Sequence, residues 1–235
     1  NDWANEVAGE HASFEDPVEV GQLGHGWEPD GTLATDVAAA DAFVYLDTPE
    51  FSWAQDLAET LEADYDDVAV IDALDGVEDE LLPWDYEGGH DHEGEGSHDH
   101  EGEGSHDHEG EESHDHDGEA GHDGEDGHDH GGNHDPHVWV DPVLAGDMVE
   151  TIADGLSEID PANAESYVDN ATSYVEELDE IDAAFASIAE TAERDVAVIA
   201  GHDSFQYLDA RYGLHLHSPV GVSPQNEPSQ SQIAD

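Results

Sequence analysis

The stretch ANAESYVDNATSYVEELDEIDAAFASIAETAE, residues 162–193, reads as one unbroken helix. Tyr167, Tyr174, Leu178, Ile181, Phe185 and Ile188 recur at spacings of three, four and seven, and neither Gly nor Pro interrupts them. At about 1.5 Å per residue the segment would span roughly 50 Å, longer than one small lobe needs. A rigid spine joining two lobes is the reading that decides the fold.

Upstream of the spine, helical and strand-like patterns alternate. Short apolar runs at residues 18–23, 43–46 and 68–71 are rich in Val and bounded by Gly, Pro or Asp, as buried strands are. Helices are expected over residues 32–40, 49–62 and 143–159; the second puts Trp53, Leu57 and Leu61 on one face, and Asp160-Pro161 ends the third. This is the pattern of an α/β fold with parallel sheets. A strand and a helix restart at Val196, and the sequence stops at Asp235. The expected organisation is an N-terminal α/β lobe over residues 1–160, the connecting helix over 161–193, and the start of a C-terminal α/β lobe, cut short, over 194–235. Because residues 2–9 already read as helix and no initiator Met precedes them, a removed signal segment and a first strand are expected upstream.

Residues 88–134 interrupt the first lobe with near-repeats of Ser-His-Asp-His-Glu-Gly-Glu-Gly. They hold 12 His, 17 Asp or Glu and 13 Gly, with three Ser, one Ala and one Asn, so no apolar side chain is large enough to build a core. A disordered loop is expected. Imidazole suits zinc, copper and nickel, and the His-X-His pairs at 90/92, 98/100, 106/108 and 114/116 can bring two rings onto one ion without a fixed fold. Each such site is weak, since binding must order a Gly-rich chain at about 1–2 kcal/mol per residue. The loop therefore reads as an auxiliary metal collector formed by His90, His92, His98, His100, His106, His108, His114, His116, His122, His128, His130 and His134. The plainer reading is a solvated acidic linker, which does not account for the regular pairing.

Charge sets a second bound. The chain carries 63 Asp plus Glu against Arg194 and Arg211, with no Lys, for a formal net charge of -61. Setting the loop aside still leaves 46 acids facing two arginines, so the excess pervades the folded regions. Such a surface repels itself in dilute buffer, but at molar salt the Debye length is about 3 Å. A halophilic setting is expected. Nucleic acid and anionic membrane surfaces are excluded as partners by the same repulsion. With no Cys, thiolate zinc ligands, disulfides and thiol catalysis are excluded, and no apolar run reaches the roughly 20 residues of a membrane-spanning helix.

Three histidines outside the loop stand at informative places. His25 follows the run at 18–23; His137 lies in Asp135-Pro136-His137-Val138-Trp139-Val140-Asp141-Pro142; His202 follows the run at 196–200. In open α/β sheets ligand crevices form beyond strand C-terminal ends. Separations of 112 and 65 residues require a site assembled from distant segments, not a local finger. Singly, each could be a hydrogen-bonded structural residue or part of a turn. Trp27 and Trp139 read as packing anchors, and His11, His215 and His217 as surface or strand residues, with His217 in reserve. A metal-collecting loop that runs directly into His137 favours the joint reading.

The blocks Gly24-His25-Gly26-Trp27-Glu28-Pro29, Asp135 to Pro142, Gly201-His202-Asp203-Ser204-Phe205-Gln206-Tyr207-Leu208 with Arg211-Tyr212-Gly213-Leu214, and Gly221-Val222-Ser223-Pro224 with Glu227-Pro228-Ser229 resemble, in order, the signatures of the solute-binding proteins of zinc-uptake ABC transporters, the ZnuA-like group. The resemblance implies a two-lobed, extracytoplasmic binding protein with one long connecting helix. It implies a single metal held in the cleft by His25 and His137 from the first lobe and His202 from the second. In that family His at the third position goes with zinc and Glu with manganese, so Zn2+ is favoured over Mn2+; a His-rich acidic insertion before the second ligand is also a family feature. It further implies an ABC transporter permease as partner, a monomer, and tethering to the membrane surface by a lipid-modified leader absent here. No enzyme activity is implied.

The rival from another class is a zinc hydrolase, since three His ligands with an open water position also make a catalytic site and Glu28 could act as its base. No H-E-x-x-H segment and no G-x-S-x-G elbow supports it. A pure metal buffer, in which only the loop matters, is the third reading. Any imidazole site is expected to weaken below about pH 6, where protons compete for the ligands.

Overall fold

A computed structural model describes residues 2–18, 27–84 and 134–218. The chain divides into two units, Asn1–Gly88 with His130–Asp235, and Gly89–Asp129; the second lies wholly outside the described residues. So do His25, nearly all of the strand expected over residues 18–23, and every histidine of the insertion except His134.

Alternation along two short strands decides which helices they need. β1 (Ala42–Tyr45) and β2 (Ala69–Asp72) pair in parallel, with Ala42 opposite Ala69 and Tyr45 opposite Asp72. Parallel neighbours require a crossover, and α3 (Ser52–Asp64), entered through a 3-10 turn at Pro49–Phe51, provides it. Successive side chains point to opposite faces. Phe43, Val68 and Val70 accordingly pack with Ala54, Leu57, Ala58 and Leu61 of α3, while Ala42, Val44 and Ile71 belong to the core on the other face. The two faces are thus covered separately, and α2 (Leu33–Val37) lies against α3 on the first of them.

The larger core is built by α4 (Pro142–Ile159). Its Leu144, Ala145, Met148, Val149, Ile152, Ala153 and Leu156 form one stripe buried with Ile71 of β2, with Ala4, Val7 and Ala8 of α1 (Asp2–Ala8), and with Tyr167, Ala171 and Leu178 of α5 (Ala164–Thr191). Gly155 lets α4 lie close on the sheet: a Cβ there would stand 2.7 Å from Ile71 Cδ1. Asp141 caps α4, its Oδ1 accepting the Val143 N–H at 2.9 Å, with Pro142 opening the first turn. At the other end Asp160 accepts from Asn163 Nδ2 at 2.6 Å and Tyr167 O–H at 3.0 Å, which fastens the turn into α5. Both hydrogen bonds hold the Asp160 carboxyl below its ordinary pKa, the Asn163 contact most.

α5 is the helix expected over residues 162–193, and it is buried only in its first part. Ile181 and Ile188 are 46% and 55% exposed, whereas Tyr167 is 2% exposed. Alongside the second part lies α6 (Gln206–Tyr212): Tyr212 O–H donates to Asp182 Oδ1 at 2.8 Å, and Phe185 stacks on Tyr212 with ring centres 5.4 Å apart. β3 (Val196–Val198) and β4 (His215–His217) form a second parallel pair, Val196 opposite His215, on either side of α6. α6 ends at Gly213, whose φ of 65° is the left-handed conformation that favours glycine.

Two elements differ from expectation. The helix expected over 32–40 stops at Val37, and Ala38, Ala39 and Ala40 finish in hydrogen-bonded turns, since three alanines offer little apolar surface to hold another helical turn. His134, taken as the last residue of the loop, is 6% exposed and bridges Pro83 in antiparallel fashion, so it belongs to the folded neck of the insertion. Among the described residues no helix is long and apolar enough to cross a membrane.

Candidate metal centre

The segment that presents His137 is fixed at both ends by backbone. The Asp135 N–H donates to the Leu82 carbonyl at 2.8 Å beside the Pro83 bridge, and a 3-10 turn at Val138–Val140 leads into the capped start of α4. His137 is 3% exposed at the head of that turn. Asp135, fully buried, folds back onto it: Oδ1 accepts the His137 backbone N–H at 2.9 Å and lies 2.7 Å from ring Nδ1. Trp139 stands edge-on to the His137 ring with centres 5.4 Å apart and stacks on Phe51 at 6.3 Å, so this tryptophan both packs and walls the imidazole.

His202 arrives from the other direction, just past β3. Its Nε2 lies 3.2 Å from Nε2 of His137, with ring centres 5.1 Å apart and planes tilted by 44°. Ser218 Oγ–H donates to the Gly201 carbonyl at 2.5 Å, which holds the turn that carries His202. α6 then docks on the His137 segment. The Tyr207 hydroxyl donates to the Asp135 carbonyl at 2.9 Å and accepts the Leu82 N–H at 3.1 Å, joining both stems of the insertion. One turn later Arg211 Nε donates to Asp141 Oδ2, so the carboxylate that caps α4 also holds α6.

Electrostatically the site is acidic and largely buried. Burial raises the pKa of Asp203, next to His202, and the charge of Asp135 raises it further, while the hydrogen bond from Gln206 Nε2 to Oδ2 at 3.1 Å opposes both. Burial likewise raises the pKa of the Tyr207 hydroxyl, which therefore serves as a neutral donor.

Two imidazole nitrogens held this way fit one ion. Ligands bound at about 2.0–2.1 Å to a tetrahedral centre stand about 3.3 Å apart. Nitrogen donors of this kind suit zinc, copper and nickel over harder cations. Of the three predicted ligands the structure brings His137 and His202 together, while His25 lies outside the described residues. Among the described residues no group of three or more His, Cys, Asp or Glu gathers at metal-holding distances. His11 lies edge-on to Tyr167, and His215 in β4 is 3.8 Å from Asp209.

Sequence reasoning gave no role to Asp135, Tyr207 or the Arg211–Asp141 pair. Tyr207 and Arg211 had a usable signal, since they sit five and nine residues beyond His202 on one short helix and Arg211 is one of only two cations. Asp135 had only its place two residues before His137 in the quoted block, and composition could not single it out among 63 acids.

Set against known proteins, residues 1–235 match the family described as ZnuA, zinc-uptake complex component A, periplasmic. The zinc-binding lipoprotein AdcA of Streptococcus pneumoniae is 31% identical over 239 residues, covering 100% of this chain and 40% of AdcA. The high-affinity zinc uptake system protein ZnuA of Bacillus subtilis is 38% identical over 100 residues, 43% of this chain and 31% of that protein. The crystal structure of the Zn(II)-bound ZnuA-like domain of S. pneumoniae AdcA superposes with a TM-score of 0.68 at 29% identity, covering 99% of this chain and 68% of that domain. The chain therefore spans about 40% of the length of the AdcA relative it matches throughout.

Proposed function

The chain belongs to the ZnuA family of zinc-uptake components, and on that premise we propose that it captures a zinc ion with His25, His137 and His202 outside the cytoplasm and delivers it to an ABC transporter permease. The observation that carries the reading is the 3.2 Å separation of the His137 and His202 Nε2 atoms, the spacing of two ligands on one tetrahedral ion. Zinc is favoured over manganese because both donors are imidazoles, and the relatives reported above are named as zinc proteins. His25 is the third ligand by family resemblance.

In this reading the long helix α5 joins two lobes, and an ion gripped from both sides favours one relative orientation of them, which a permease can recognise. The histidines at 90–130 collect metal at low affinity, and the His137–His202 centre sets selectivity. Tethering as a lipoprotein is supported by the description of AdcA.

Calorimetric titration of the chain with zinc in molar potassium chloride tests the assignment. One tight equivalent beside several weak ones is expected; His137→Ala and His202→Ala each lose the tight one, and deletion of residues 89–129 loses only weak ones. Tight binding that survives His137→Ala overturns the reading.

A further inference from the structure

Two residues that face each other as a hydrogen-bonded antiparallel pair exchange two bonds, each donating its N–H to the other's carbonyl. At the neck of the insertion only one of the two is made directly. The Asp135 N–H donates to the Leu82 carbonyl at 2.8 Å, next to the Pro83–His134 bridge, but the return bond from the Leu82 N–H to the Asp135 carbonyl is absent among the described residues. The Tyr207 hydroxyl takes its place: it accepts the Leu82 N–H at 3.1 Å and donates to the Asp135 carbonyl at 2.9 Å. A side chain of α6 thus forms one rung of a ladder that belongs to residues 82 and 135.

We infer that Tyr207 is a replaceable rung which couples the neck to the position of α6, and through α6 to the approach of His202 to His137. The inference rests on the zinc-capture reading above and adds to it a positioning residue and a second place where the bound ion is felt. With α6 docked, the hydroxyl wedges Leu82 and Asp135 apart. A helix shift of about 1–2 Å withdraws it, and the Leu82 N–H and Asp135 carbonyl then close on each other as an ordinary pair. Neither arrangement leaves a buried backbone group without a partner, so the two lie close in free energy and the neck can pass between them.

The placement of Tyr207 suits it to this role. Its ring is 2% exposed within the larger core, so the hydroxyl follows the helix and does not swing aside on its own. Only five residues separate it from His202, whose Nε2 lies 3.2 Å from Nε2 of His137. Whatever draws His202 onto His137 drives the hydroxyl into the neck, and by reciprocity a neck closed on itself holds His202 back.

NMR of the metal-free and zinc-loaded chain in molar potassium chloride tests the device. In the unaltered chain, coupling across the hydrogen bond should run from the Asp135 nitrogen to the Leu82 carbonyl carbon and not from the Leu82 nitrogen to the Asp135 carbonyl carbon, and zinc should slow exchange of the Leu82 amide. Tyr207→Phe keeps the ring in the core and removes the rung. The missing coupling should then appear, Leu82 exchange should no longer respond to zinc, and zinc affinity by chelator competition should fall about threefold to tenfold, the worth of one hydrogen bond. A Leu82 amide in Tyr207→Phe that exchanges freely without the new coupling marks an ordinary structural hydroxyl and overturns the inference. Unchanged affinity in that variant, or a Leu82 amide that zinc leaves unaffected in the unaltered chain, overturns it too. Retention of tight zinc by His137→Ala instead overturns the capture reading beneath it, while the metal-free couplings stand.

Discussion

Leu144, Met148, Val149 and Ile152, on the helix that begins beside His137, are 0–3% exposed, whereas all three residues of β3, which leads to His202, are exposed, Val198 at 76%. One half of the candidate centre stands on a finished apolar core. The other half reaches that core through Tyr207 and is otherwise held by polar contacts, Tyr207 to the Asp135 and Leu82 backbone and Arg211 to Asp141. The difference teaches that the helix after His137 rests on packing and the segment around His202 more on directional bonds, so the two histidines should respond to different kinds of change.

The sharpest way to break the comparison is to truncate an apolar side chain on each side. Leu144→Ala should cost about 2–5 kcal/mol in denaturant unfolding in molar salt, the ordinary range for a buried leucine. Val198→Ala, with its side chain already in water, should stay within about 0.5 kcal/mol. Equal losses would mean that β3 is as firmly packed as α4.

A smaller effect is expected from a weak point inside the packed half. Asp72, 9% exposed at the end of β2, accepts N–H groups from Asp47 at 3.1 Å and Leu74 at 3.0 Å, yet burial pushes its pKa from 3.8 up to about 6. A carboxyl raised in the folded state contributes stability that is fully present below about pH 3.8 and is lost as pH rises through about 6. Asp72→Asn keeps the accepting oxygen and should therefore gain about 1–2 kcal/mol near pH 7.5, with the gain vanishing below about pH 4. Thermal unfolding of both chains from pH 4 to 8 measures it; a variant that is less stable at pH 7.5 contradicts the sign.

A still smaller loss than that of Leu144→Ala should come from the polar contacts of the other half. Arg211→Gln removes the partner of a buried Asp141, but the guanidinium is 28% exposed and Asp141 still caps α4, so the loss should be about 1 kcal/mol. Its larger effect should fall on the site, as weaker zinc binding with the core intact. Loss of stability without loss of affinity would mean that Arg211 supports the fold and not the placement of His202.

The parts of this molecule legible in sequence are those where a period repeats. Tyr167, Tyr174 and Leu178 announce α5, and the Val-rich runs announce β1, β2 and β3, because helix and strand spacings leave different marks. His137 and His202 could be picked out because histidine is rare outside the insertion. What stayed hidden is direction: nothing in the chain says that Asp135 turns back onto the residue two places on, since carboxylates occur everywhere and contacts such as Tyr207 to Leu82 cross 125 residues. The shortness of α2 was hidden too, because alanines carry helical propensity but little area to bury.

The Pro83–His134 bridge and the Leu82–Asp135 hydrogen bond have a consequence for how such a chain can evolve. They bring the exit and re-entry points side by side, so the domain closes on itself whatever is spliced between them, and each doubling of the spliced length adds only about 0.6 kcal/mol of closure entropy. Histidine tracts at this point can lengthen, shorten or be exchanged for another cargo at little expense to the scaffold, which makes the neck a natural grafting port.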